Sequence, residues 1–251
     1  MESIDHPVAK YTLRLGDDAL VLSQRLCEWC ARAPMLEEDI AISNVGLDYL
    51  GRARMLLGFA GEHLGQTEDQ LAYLRDAYEF SNLLMYELPC GDFAFTQARH
   101  YLLDEFEGLY FEQLLASEEP TLAAIAAKTT KEIRYHLRRS KEWMMRLGQG
   151  TDESSRRLQQ AFDELWGYTA ELFQMDQLEQ QLAARDIAVD RTSLQDSWHS
   201  RVATTVQAAG ISLPDADWQV VGGRQGVHTE HLGHMLSEMQ FMQRAYPGLN
   251  W

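Results

Sequence analysis

Strand-like alternation is missing from this 251-residue chain. No period-2 run of apolar and polar residues occurs, and Ala, Leu, Gln, Glu and Arg dominate instead, which points to an all-α protein. Cysteine is scarce. Three residues, an odd number, are too few for a disulfide framework. Long apolar runs are lacking as well, and none approaches the ~18–20 residues a bilayer span requires. The start, Met1 to Pro7, has neither the basic flank nor the apolar core of a signal peptide, so a soluble cytoplasmic protein is expected. Basic residues are few, 22 against 38 acidic, and the net charge of −16 repels phosphate backbones and argues against nucleic-acid binding. An anionic ligand would need a local basic patch or a more basic partner. A hydrophobic share of 45% suffices for one large core. Without solenoid repeat, low-complexity tract or linker, residues 1–251 are expected to form a single domain.

A first helix is predicted over about 10–33, stopping before Pro34 because proline disfavours helix at the preceding residue. A second runs over about 36–64 to Gly65, and Thr67-Glu68-Asp69-Gln70 is a capping-box pattern that restarts the chain. A connection leads to Pro89-Cys90-Gly91. A third long helix spans about 92–117, and Pro120 at a first helical position opens the fourth. Gly148-Gln149-Gly150 ends that helix, and Thr151 begins a fifth, to about 173. Shorter helices are predicted at about 175–185 and 190–208, then a Gly-rich loop at 222–226 and a last helix over about 229–245. Two long helices, a connection of roughly 25 residues and two more long helices make the ferritin-like four-helix bundle with one long crossover, here with additional C-terminal helices. A plain helical bundle is the alternative.

Ferritin-like di-iron proteins carry Glu-x-x-His on two helices and a carboxylate on each of the other two. Acids predicted on core-facing stripes are Glu28, Asp48, Asp104 or Glu107, and Glu132. The histidines fail: three residues after Asp48 stands Gly51, three after Glu132 stands Tyr135, and no Glu-x-x-His occurs in the chain. His136 shares a helix face with Glu132 at i+4 and could still bind metal. Mutual pairing, or pairing with Arg134 and Arg138, is the simpler expectation, since inward ionisable groups can be held without metal. Arg25, Arg52 and Arg54 could neutralise the other acids.

Cys27-Glu28-Trp29-Cys30 is a Cys-x-x-Cys, but it is predicted inside a helix rather than after a strand, which favours an apolar role over redox chemistry. The segment His228 to His234 is rich in histidine and could conceivably bind zinc, while Thr229 also reads simply as a helix N-cap. Lys131, Arg134, Arg138 and Lys141 form a basic stripe, a solvated face or else, with Arg224 of the Gly-rich loop, a patch for an acidic partner or a ligand's phosphate. The tryptophans read as core or interface anchors, with Trp251 requiring a docked tail.

Several separated segments together carry a resemblance: Tyr11 to Asp17, Asn44 to Asp48, Phe80 to Leu84, Lys131 to Arg138, Leu147 to Asp152, Leu165-Trp166, and Gly226 to Gly233. In this order they resemble the C-subunit family of the bacterial phenylacetyl-CoA epoxidases, over nearly the whole length. The resemblance implies a ferritin-like subunit without a working metal site and without a cofactor of its own. Such a subunit pairs with and supports a paralogous catalytic A subunit, which carries the di-iron centre and binds the acyl-CoA. A small B subunit and a reductase complete the system. The reaction so implied inserts one oxygen atom of O₂ into the aromatic ring to give the 1,2-epoxide, with electrons from NADPH through the reductase. A metal-binding oxygenase with a divergent site around Glu132 and His136 is the alternative.

Overall fold

The computed structural model describes residues 7–215 and 217–249. The expectations placed on Met1 to His6 and on Trp251 lie outside the described residues. Among the described residues the chain is all-helical, with no strand. The helices are α1 (Pro7–Cys27), α2 (Leu36–Leu64), α3 (Glu68–Tyr73), α4 (Leu84–Glu87), α5 (Phe93–Leu114) and α6 (Pro120–Gly148). They continue as α7 (Asp152–Leu165), α8 (Gln177–Ala183), α9 (Gln195–Ala209), α10 (Glu230–Met239) and α11 (Phe241–Ala245). No helix among the described residues is long and apolar enough to cross a membrane.

The described residues divide into two compact units, one of residues 7–89 with 222–249, the other of the described residues between 90 and 221. In the first unit α1 packs along α2. Their buried faces carry Leu22, Leu26, Tyr49, Leu56 and Leu57. The approach is close at Gly16, where a Cβ would stand 2.7 Å from Leu57 Cδ2. In the second unit α5 packs along α6, with α7 and α9 against the pair. Trp198 on α9 is 2% exposed and donates its indole N–H to the Leu102 carbonyl at 3.0 Å. A buried tryptophan is tolerated when its N–H finds such a partner.

The punctuation residues act as their chemistry requires. Gly65 ends α2 in the left-handed conformation, φ 68°, which costs glycine nothing. Thr67 and Gln70 form a reciprocal capping box, Pro120 occupies the first turn of α6, and the Thr151 side chain accepts from the Ser154 N–H at the start of α7.

The structure corrects several boundaries. α1 ends at Cys27, six residues short of the sequence expectation of about 33. Beyond it Trp29, Cys30 and Arg32 bond three residues back, and Ala31 has φ 63°. The chain thus leaves the helix through tight turns before Pro34 takes effect. Cys30 therefore lies outside the helix, and Cys27 and Cys30 are both free and exposed. The fifth expected helix is α only to Leu165 and continues as a 3₁₀ segment, Trp166–Phe173. Gly167 in that segment receives the Trp218 ring where a Cβ would be 2.1 Å from it. The expected C-terminal helix breaks at Gln240, whose amide donates to the carbonyls of Ala72 and Arg75, both at 3.0 Å.

Candidate functional site

In the second unit α5 carries polar side chains on a helix that is buried nearly all round. Gln97, Arg99, His100, Asp104, Glu105 and Glu107 are each at most 3% exposed. Burial of ionisable groups is costly unless each is paired or neutral. Glu105 is paired: Lys141 Nζ of α6 lies 2.6 Å from one oxygen, and Arg201 of α9 lies 3.9 Å from the other. The Tyr101 hydroxyl also donates to Glu105 at 3.3 Å.

Asp104 solves the problem differently. One of its oxygens has no hydrogen-bond partner, and its pKa is pushed up to about 7. Burial is the largest cause and Glu107 adds to it, against the opposing pull of His136, a hydrogen bond from Ser140 and the charge of Arg139. His100, one turn before Asp104, moves the other way, well below the usual imidazole value, through burial first and then Arg99, Arg139 and His136. The α5–α6 pair thus holds an acid and an imidazole that both favour their neutral forms.

The sequence candidates separate on this scaffold. Asp104 and His136 come together between α5 and α6, with His136 2% exposed. Glu132, one turn before His136, pairs with Lys128 at 3.5 Å rather than with an arginine, and its side chain is 16% exposed. Asp48 lies on α2, half-buried, in the other unit. Glu28 is not on a core stripe: α1 has ended before it, and its side chain, 37% exposed, pairs with Arg25 at 2.6 Å. Lys131, Arg134 and Arg138 are exposed on α6, Lys141 is committed to Glu105, and Arg224 is buried in the first unit.

A dinuclear iron centre does not fit these residues. Gly51 supplies no donor, and Tyr135, in the other histidine slot, is 41% exposed on the outer face of α6. The guanidinium of Arg139 already acts on both Asp104 and His100, where a second cation would be repelled. Among the described residues no three or more His, Cys, Asp or Glu side chains are placed to hold a metal ion.

A second polar cluster lies in the first unit; Arg25, Arg224, His228 and Thr229 of it stand out in the sequence, but its acids, Asp17, Asp18 and Glu87, are not among the candidates. Asp17 and Asp18 are buried in the apolar run of α1. Asp17 pairs with Arg75 through both oxygens and accepts the Ser81 N–H at 3.0 Å. Asp18 accepts Arg224 through both oxygens, at 3.0 and 2.7 Å, and the Leu83 N–H at 2.8 Å. Glu87, fully buried, accepts from Asn82, from both the N–H and the hydroxyl of Thr229, and from His228. Arg25 donates to the carbonyls of Glu87 and His231. Thr229 heads α10 without a side-chain capping bond, because its hydroxyl is directed to Glu87. These carboxylates are saturated by donors and fasten the connection and the C-terminal segment to α1. The signal in the sequence is two adjacent aspartates directly ahead of Ala19-Leu20-Val21-Leu22.

A helical chain with buried acids held by its own side chains narrows the relationships, and comparison with known proteins gives the class. The whole chain, residues 1–251, matches the family of phenylacetic acid catabolic proteins, and the protein belongs to that family. It is 50% identical over 242 residues to the C subunit of the 1,2-phenylacetyl-CoA epoxidase of Escherichia coli (strain K12). The match covers 96% of this chain and 98% of that relative.

Proposed function

We propose that this chain is a non-catalytic subunit of a cytoplasmic, multicomponent di-iron oxygenase that epoxidises the ring of phenylacetyl-CoA. On this reading it is a single ferritin-like domain, a four-helix bundle with one long crossover, that pairs with and supports a catalytic A subunit holding the iron. A small B subunit and an NADPH-fed reductase complete the system. Identity to an epoxidase C subunit along almost the full length of both chains supports the assignment to such an enzyme. The donor set carries the non-catalytic part: glycine and an outward tyrosine stand where a dinuclear site needs histidines, and a lysine has taken Glu132. Exposed apolar residues fit a role within an assembly. Leu36, Ile40 and Leu47 are 71%, 54% and 60% exposed along one face of α2, as at a surface covered by another protein.

Metal analysis of the chain expressed alone in iron-replete cells tests the proposal. Iron well below one equivalent per chain is expected, and a content near two equivalents overturns it. The competing assignment, a divergent metal site around Glu132 and His136, requires Glu132→Ala and His136→Ala to abolish an activity of the isolated chain without unfolding it. The non-catalytic assignment places the damage of those substitutions in stability or subunit association.

A further inference from the structure

Apart from Arg139, which is half-buried and donates to Gln97 at 3.3 Å, the lysines and arginines of α6 fall into two groups. Lys128 pairs with Glu132 at 3.5 Å, Lys141 with Glu105 at 2.6 Å, and Arg146 with Glu142 at 3.7 Å. Lys131, Arg134 and Arg138 have no carboxylate within ion-pair distance among the described residues, although the chain carries 38 acids against 22 bases. All three are exposed and lie at i, i+3 and i+7, so they share one face of a helix over about 10 Å. Tyr135 stands beside them, 41% exposed, with the Arg138 guanidinium 5.7 Å from its ring centre. Arginine and tyrosine are the residue types that anchor protein interfaces.

We propose that this face of α6, formed by Lys131, Arg134, Tyr135 and Arg138, is a docking surface for an acidic face of another protein subunit. The proposal rests on the multisubunit assignment above and adds the face and its chemistry. Charge decides the occupant: on so acidic a chain, an unneutralised basic row can gain from carboxylates brought by a partner. Shape decides against a small phosphate ligand. Such ligands sit in concave sites that bury most of their surface, whereas these side chains stand on the outside of one helix; two cavities of the second unit lie elsewhere, one between Gln113–Ser117 and Ala183–Asp190, the other beside Gly91, Asp92, Phe95 and Arg157. The structure also withdraws two members of the basic set seen in the sequence, since Lys141 and Arg224 are committed to Glu105 and Asp18.

The test uses the full chain and the other epoxidase subunits encoded by the same bacterium, with affinity measured at low and at high NaCl. Wild-type binding is expected to weaken steeply with salt. The K131E/R134E/R138E variant should bind about tenfold or more weakly at low salt and lose most of that salt dependence. Tyr135→Ala should lower affinity while keeping the salt dependence, and circular dichroism should be native for both variants. Association unchanged by the triple reversal overturns this inference alone. So does a reversal that affects only self-association of the chain, or only binding of free CoA. A wild-type chain that binds none of those subunits overturns the functional assignment as well.

Discussion

The imidazole of His228 is clamped between Glu87 and the backbone of Phe80. Its Nδ1 lies 2.7 Å from Glu87 Oε2 and its Nε2 lies 2.9 Å from the Phe80 carbonyl oxygen. A carbonyl only accepts, so Nε2 carries a proton. Glu87 already accepts from Asn82 and twice from Thr229, which is the environment of an ionised carboxylate, so Nδ1 donates as well. This geometry favours the imidazolium form of His228, and its pKa is raised above 6.5. Burial pulls it down, but the hydrogen bonds to Glu87 and Phe80, followed by the charges of Glu87 and Asp17, outweigh that.

The sign of the pH effect follows. A group whose pKa rises on folding contributes its full stabilisation below its unfolded value, here 6.5, and loses it as pH climbs through the folded value. Denaturant unfolding of the wild type should show this loss above neutrality. His228→Gln should be less stable at pH 6 by about 1.5–3 kcal/mol, the range for hydrogen bonds to charged groups, and the gap should narrow as pH rises. A gap that is the same at pH 6 and pH 9 would falsify the imidazolium assignment.

The Asp18–Arg224 pair predicts a large single-residue effect and a small combined one. Arg224 is 7% exposed and also donates to the Ser81 carbonyl at 2.6 Å. Arg224→Met takes from buried Asp18 the guanidinium that binds both its oxygens, and Asp18→Asn takes from buried Arg224 the charge of that carboxylate. Each should cost about 3–5 kcal/mol, whereas the double substitution should recover a good part of the loss because a buried pair contributes little net of desolvation. Thermal or denaturant unfolding of the four proteins gives the coupling energy. Strict additivity would count against a direct pair.

At Gly16 the test is steric. A Cβ there meets Leu57, which is itself 2% exposed and has little room to yield. Gly16→Val should destabilise by about 1–3 kcal/mol through overpacking, and Leu57→Ala placed on that background should restore part of the loss instead of adding its own. Unfolding midpoints read this directly.

Much of the helical framework was legible because its signals are local. Gly65, the Thr67–Gln70 box, Pro120 and Thr151 each fix a backbone position through their own chemistry, and the structure uses all four. The end of α1 was not legible, because the turns that close it after Cys27 depend on geometry that Pro34 does not specify. The break at Gln240 was hidden for a different reason: it arises from carbonyls of Ala72 and Arg75, more than 160 residues away in sequence. The candidate site divides in the same way. Missing histidines can be counted in a sequence, and Arg25–Glu28 and Lys128–Glu132 are local pairs at i, i+3 and i, i+4, but the partners of Asp17 and Glu87 are decided by which side chains packing brings near. His100 drew no attention because it follows no acid at the di-iron spacing, yet it shares the buried face with Asp104.

Asp104 supplies the most discriminating prediction. Its folded pKa of about 7 stands above the ordinary 3.8, so its ionisation works against folding. Stability is favoured below the unfolded value and is lost as pH rises towards the folded one, a window from about pH 4 to pH 7. Asp104→Asn keeps the shape and removes the titration. The variant should match the wild type within about 1 kcal/mol near pH 4 and exceed it at pH 8 by on the order of 2–4 kcal/mol, since a tenfold change in proton affinity corresponds to about 1.36 kcal/mol. Denaturant titrations at closely spaced pH values would resolve the divergence. An oxygen required for binding a structural cation would give the reverse, a loss of stability on amide substitution that grows with pH and depends on added metal. The sign of one difference, measured at pH 8 with and without chelator, therefore separates a buried acid whose ionisation opposes folding from a ligand awaiting its ion.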